Sequence, residues 1–154
     1  MPFSLARHYQ KMLRSYERFE KISTGYGPNM ETDRPRDMAE EFFICAHHML
    51  DYLRRDPSTK HLGEVGKRFA EANRALQIAA LIANSVKHAG PGRDAKAETV
   101  EVVNQHYNLS TSTMDWSAQV IVTVNGKQYN AFQIAKECIS AWKAFLGGNQ
   151  IIIF

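Results

Sequence analysis

The sequence predicts an α+β protein, mostly helical: a four-to-five-helix bundle with a small antiparallel β-sheet inserted before the last helix. Three observations carry this expectation. From Leu5 to Val86 apolar residues recur at alternating spacings of three and four, the period of an amphipathic helix. Between Thr99 and Val124 the pattern changes to alternation, and Asn125-Gly126 follows as a hairpin turn in which both positions tolerate positive φ. From Ala131 to Leu146 the helical period returns.

The elements follow in order. Ser4 can cap a first helix running to Ile22, with Leu5, Tyr9, Met12, Tyr16 and Phe19 on one face. The run Ser23-Thr24-Gly25-Tyr26-Gly27-Pro28-Asn29 breaks it. Thr32 or Asp33 caps a second helix with Pro35 in its first turn, and Met38, Phe42, Cys45, Met49 and Leu53 form its apolar face. That helix stops at Asp56-Pro57-Ser58. A weaker helix from Lys60 to Ala72 is interrupted by Gly63 and Gly66, and Asn73 caps the most apolar segment, Ala75 to Ala89, which Gly90-Pro91-Gly92 ends. Thr99–Tyr107, Ala118–Val124 and Lys127–Asn130 read as strands. The final helix turns Ile134, Cys138, Ala141, Trp142 and Phe145 inward, and Gly147-Gly148 ends it. The tail from Asn149 to Phe154 is apolar and β-prone, so it needs a partner surface, in its own fold or on another protein.

Residues 1–154 form a single domain: a helical bundle over 4–89, a β insert over 98–130, a C-terminal helix over 131–146 and the tail over 149–154. Hydrophobic content of 44% and charged content of 23% are ordinary globular values, and a net charge of +3 permits an acidic or nucleic-acid partner without requiring one. Cys45 and Cys138 fit no metal spacing and read as buried thiols of a reducing compartment. The N-terminus has no apolar signal core, and no apolar run is long enough to span a bilayer. The expected setting is cytoplasmic, with no membrane contact.

The chemistry concentrates at the end of the apolar helix, in Ala83-Asn84-Ser85-Val86-Lys87-His88. On a wheel of 100° steps, Arg74, Gln77, Leu81, Asn84 and His88 fall on one polar seam of an otherwise apolar helix, with Lys87 off the seam. Either the seam is a hydrogen-bonded structural network, buried and fixing helix register, with His88 at a helix C-terminus where a cation is favoured, or it is a site. The second helix carries a matching stripe of Asp37, Glu41, Ile44, His48, Asp51 and Arg55, in which Asp51 can orient the His48 imidazole, while His47 lies on the opposite flank. Glu41, His48 and His88 could hold a metal only if the two stripes face each other. No glycine-rich phosphate loop and no Gly-x-Ser-x-Gly elbow is present. Arg7, Lys11, Arg14 and Arg18 form a basic row along the first helix, and Trp116 and Tyr107 flank the sheet as core or interface residues.

The order of elements, together with Asn84 and His88, resembles the HEPN superfamily. Its motif is an Arg, often followed by a polar residue, with a His after four to six intervening residues; here Asn84 matches the polar position, His88 the His, and Ala83 stands where the Arg belongs. Arg55 to His61 also fits the motif's spacing but crosses a helix end at Pro57. The segment from Phe42 to Tyr52 with the Asn84-x-x-Lys87-His88 element is similar to bacterial and phage proteins of HEPN-like form, over residues 38 to 146. The resemblance implies a helical homodimer of a toxin–antitoxin or phage-defence system, and a metal-independent ribonuclease needing no cofactor. His88 would then be the general acid or base, Asn84 would orient the phosphate or His88, Lys87 would contact phosphate, and His48 held by Asp51 would be a second acid–base group. The alternative, favoured by Ala83 and the apolar tail, is a non-catalytic helical adaptor, inhibitor or assembly subunit acting through protein–protein contacts. If the catalytic reading holds, His88→Ala abolishes RNA cleavage and leaves the melting temperature nearly unchanged; a large loss of stability in a chain with no nuclease activity assigns the residue to structure.

Overall fold

The computed structural model describes residues 4–24, 34–87, 98–108 and 115–151. Five helices and one three-stranded sheet follow the expected order: α1 (Leu5–Thr24), α2 (Arg34–Arg55), a short 3-10 helix (Lys60–Leu62), α3 (Gly63–Ala72), α4 (Arg74–Lys87), β1 (Glu98–Asn108), β2 (Asp115–Val124), β3 (Lys127–Asn130) and α5 (Ala131–Gly148). The expected breaks at Gly25–Asn29 and Gly90–Gly92, the cap at Thr32 or Asp33, His88, and the tail after Ile151 lie outside the described residues.

α2 is the central element because it has apolar residues on more than one face. Phe42, Met49 and Leu53 of the expected stripe are sealed from solvent, but so are Ala39, Phe43 and Ala46 beside it. The small side chains at Ala39, Cys45 and Ala46 let neighbouring helices approach closely, which α1, α4 and α5 do. Two of the contacts are specific: His8 Nε2 of α1 donates to the Cys45 carbonyl at 2.8 Å, and Trp142 Nε1 of α5 donates to the Ala46 carbonyl at 3.0 Å.

The sheet is antiparallel in the order β1-β2-β3, and Asn125 and Gly126 both take positive φ, 51° and 80°, in the tight turn between β2 and β3. Val120, Val122 and Val124 alternate inward from β2 onto the helical core. β2 begins earlier than the sequence suggested, and the β1–β2 register shifts between Val102 and Asn104. That bulge places an extra residue in β1, which blurs its alternation in the sequence. The Cα partners Tyr107 and Trp116 stand opposite each other across these strands.

Helix ends are set by side chains at sequence-legible positions and by one that was not. Asn73 Oδ1 accepts from Leu76 N at 3.1 Å, the expected cap of α4, and Asn130 Oδ1 caps α5 through Gln133 N at 2.9 Å. The unexpected cap belongs to Asp56. Its Oδ2 accepts from Leu5 N at 2.9 Å, while its Oδ1 accepts from Ser58 N at 2.9 Å and Ser58 Oγ at 2.7 Å. A carboxylate at the start of one helix thus comes from the end of another. Gly147 and Gly148 do not end α5 but lie inside its last turn; the left-handed residue that turns the chain is Gln150, at φ 59°.

Gly66 does not interrupt its helix either. It packs directly against α2: a Cβ there would overlap Leu53 Cδ2, and Leu53 is fully buried. Gly66→Ala gains about 1 kcal/mol of helix propensity but forces overpacking worth about 1–3 kcal/mol. The expected outcome is net destabilisation by denaturant titration, largest if Leu53 is left intact and relieved in the Gly66→Ala, Leu53→Ala double variant relative to the sum of the two single changes.

Candidate functional site

The described part of the α4 seam lies at the surface. Arg74, Gln77, Leu81 and Asn84 are exposed, while Ala75, Leu76, Ile78, Ala79, Ile82 and Ala83 on the remaining circumference are buried. The reading of the seam as a buried network fixing helix register is therefore corrected for Arg74, Gln77, Leu81 and Asn84, which face outward. Arg74 pairs with Glu137 at 3.1 Å and sits 5.5 Å from the Tyr129 ring centroid. The Gln77 side-chain amide donates to the Glu71 carbonyl, tying α4 to the end of α3.

Beside this seam is a groove of about 430 Å³ between α2, α3 and α4. Its floor is apolar: Ala46 and Leu50 of α2, Ala70 of α3, Leu76 and Ala80 of α4, and Trp142 of α5. Its rim carries His47, Lys67, Glu71, Gln77 and Leu81. Its volume arises from alanines at three helix positions where larger side chains would fill the gap. Leu81, 38% exposed, is one of two large hydrophobic residues left open to solvent among the described residues; the other is Val65. Helical spacing places Asn84 one turn beyond Ala80 on the groove side of α4. Lys87 is the last residue of α4, and His88 lies outside the described residues.

His48 and Asp51 are on the other flank of α2, facing α1. The His48 ring centroid is 6.4 Å from that of His8 and 6.0 Å from that of His47. It is therefore His47 that shares a surface with the α4 seam, while the His48 stripe of α2 meets the basic row of α1. There Arg18 pairs with Glu41 at 2.8 Å, so one end of the Arg7–Lys11–Arg14–Arg18 row is charge-compensated within the fold. Among the described residues no three His, Cys, Asp or Glu side chains are grouped to hold a metal ion. Asp56, the acidic member of the Arg55–His61 match, has both oxygens engaged in capping and turn bonds.

The histidine the sequence left aside, His8, is the buried one. Its spacing of three and four from Leu5 and Met12 puts it on the core face of α1, the signal that could have found it. Its ring stacks on Tyr52 at 4.2 Å and 8°, and its Nε2–H is fixed by the Cys45 carbonyl. Burial lowers its pKa below 6.5, and His48 and Lys11 lower it further; the bond to the Cys45 carbonyl and the charge of Asp51 act the other way without reversing it. Asp56 shows the reverse balance: burial raises its pKa, but the bonds from Leu5 and Ser58 outweigh that and hold it below 3.8. Burial pushes both thiols up; Cys45 is enclosed, and Cys138 Sγ contacts the Ala75 carbonyl at 3.4 Å, so neither is an activated nucleophile. No helix among the described residues is long and apolar enough to cross a membrane.

The shift at His8 fixes a pH dependence. With the folded pKa below the unfolded value of 6.5, the unfolded chain takes up the proton first as pH falls. Stability from this group is complete above pH 6.5 and declines below it until the folded pKa is reached, while the Asp56 contribution is lost only as pH falls below 3.8. His8→Phe keeps the stack on Tyr52 and loses the bond to Cys45, costing about 1 kcal/mol at pH 7.5. Thermal melts at pH 7.5 and 5.0 should show a smaller acid-induced drop in His8→Phe than in the unaltered chain; an equal drop in both assigns the acid sensitivity elsewhere.

Searches against known protein-family models, curated proteins and solved structures return no match for this chain.

Proposed function

We propose that the protein is a non-catalytic helical adaptor or assembly subunit, and that the groove between α2, α3 and α4 is where it grips a protein partner. The observation that carries this reading is the pairing of an apolar groove of about 430 Å³ with an exposed Leu81 on its lip. An apolar centre with a polar rim is the anatomy of a protein interface. A catalytic site needs acid–base groups held in position. Lys67 and Glu71 at this rim are solvent-exposed, and among the described residues no hydrogen bond or ion pair orients either side chain. His48 and Asp51 lie on the α1 side of α2, away from the groove. The two enclosed thiols suit a reducing cytoplasm. The apolar tail after Ile151 is a second contact this reading can use.

One observation favours the ribonuclease reading instead. Asn84 is exposed near the end of α4, as an amide contacting an RNA phosphate must be. In that reading Asn84 and Lys87 bind phosphate, His88 transfers the proton, and the chain serves a bacterial or phage conflict system.

The groove can be tested with an apolar reporter dye. The purified protein at low concentration should bind 1-anilinonaphthalene-8-sulfonate saturably in its native state, and Ala80→Trp, which fills the groove from its partly exposed wall, should abolish that binding with the melting temperature held within a few degrees. Dye binding unchanged in Ala80→Trp overturns the adaptor site. RNA cleavage by the purified chain that His88→Ala removes replaces it with the ribonuclease reading.

A further inference from the structure

We infer that the seam between α1 and α2 is an acid-released joint: protonation of His8 parts α1 from α2 while the packing of α2 with α4 and α5 stays closed. The groove lies on the opposite flank of α2, so the joint stands apart from the docking role proposed there.

The placement of the ring carries the inference. His8 is 4% exposed, and two contacts fix it to α2: the stack on Tyr52 and the bond from Nε2–H to the Cys45 carbonyl. Because Nε2 already carries the proton of the neutral ring, a second proton goes to Nδ1, and no acceptor among the described residues is bonded to Nδ1. The titratable groups that face the ring are Lys11 from α1 and Cys45, His48, Asp51 and Tyr52 from α2. Burial, His48 and Lys11 all act against a charge on the ring, and the Cys45 bond and Asp51 favour it without reversing the balance. A ring freed into water escapes these conditions. Below pH 6.5 it takes up a proton that the enclosed ring does not, so the open population rises by up to about tenfold per pH unit.

Global unfolding would follow the same linkage; the surroundings make the response local. Asp56 keeps its charge, and its bond to the Leu5 amide, until pH falls below 3.8. Tyr16 and Phe19 rest on Phe42 and Phe132 through aromatic contacts. Among the described residues of α4 and α5, Cys138 is the one buried ionisable side chain, and burial keeps its thiol protonated. Acid therefore acts on the seam at His8 and finds nothing to charge within the α4–α5 packing. The two cysteines report the two sides. Glu41, Cys45, His48 and Tyr52 recur at spacings of four, three and four, the α2 face toward α1, and Lys11 and Arg18 of α1 act on the Cys45 thiol. Cys138 lies under α4, its Sγ 3.4 Å from the Ala75 carbonyl.

Modification of the full chain by 4,4′-dithiodipyridine, which couples to thiols in acid, tests the joint. Each rate is divided by that of the same thiol in the denatured chain at the same pH. Cys45 should react about fivefold or more faster at pH 5.0 than at pH 7.5. At pH 5.0 it should react about tenfold faster than Cys138, which only global unfolding frees. His8→Phe should remove the acid rise. Lys11 and Asp51 are exposed, so replacing them leaves the core intact. Lys11→Gln should reduce the rise and Asp51→Asn increase it, about twofold each. These two variants decide the matter if His8→Phe does not fold. Equal modification of the two thiols at pH 5.0 overturns the joint, as does a Cys45 rate that acid does not raise, a rise that His8→Phe retains, or a rise that neither charge variant moves.

Discussion

Two consecutive carbonyls in the middle of α2 hold the rest of the molecule in place. Cys45 O receives His8 from α1, and Ala46 O receives Trp142 from α5. Helix carbonyls already accept one bond within the helix, so each is sharing a lone pair with an outside donor. The small side chains of Cys45 and Ala46 leave room for these outside donors. Because the two carbonyls are adjacent, they point to different sides of α2 and fix the positions of α1 and α5 about it. Trp142 held in this way becomes part of the groove floor, and His47, the next residue along α2, becomes part of its rim. The groove is thus a by-product of how α5 is anchored: an indole tied to a backbone oxygen cannot slide forward to fill the space that Ala70 and Ala80 leave.

The opposite flank of α2 follows a different logic. Between α1 and α2 the contacts are polar at the edge and aromatic within: Arg18 with Glu41 outside, His8 on Tyr52 inside. The exposed pair contributes little on its own, because water competes for both ions. The buried imidazole contributes more, since its one fixed donor is satisfied and its ring covers the Tyr52 face. The price is that burial disfavours the charged form of this ring. The apolar flank, against α3, α4 and α5, carries no such condition.

Much of this was legible in the sequence because helix and strand periods are local properties. The stripes of Leu5–Tyr9–Met12 and Ile134–Cys138–Ala141, the cap at Asn73 and the turn at Asn125-Gly126 all describe the chain against its near neighbours, and all are where the spacing put them. What was not legible depends on pairs distant in the chain. Nothing near Gly66 announces that Leu53 occupies the space of its missing side chain, so a packing glycine looked like a helix breaker. Nothing near Asp56 announces Leu5, so a cap looked like part of a degenerate motif. The polar seam of α4 was correctly drawn from Arg74 to Asn84, but a wheel gives directions without neighbours. It could not say that His47, and not His48, would share its surface. Alanines are the least conspicuous residues in a pattern, and the groove opens where Ala46, Ala70 and Ala80 stand.

The bond between Asp56 and Leu5 closes a loop of 51 residues with one carboxylate. Its effect is on the order of events as well as on the energy. The first amide of α1 gains its partner only after the last turn of α2 has formed and the chain has turned at Ser58, so the start of α1 is completed from the end of α2. Fraying, usually an independent event at each terminus, becomes here a shared one: opening the end of α2 exposes the start of α1. In hydrogen exchange the Leu5 amide should therefore be protected to the degree of the α1–α2 pair and not to the degree of a chain terminus, and the two helices should exchange as one cooperative unit.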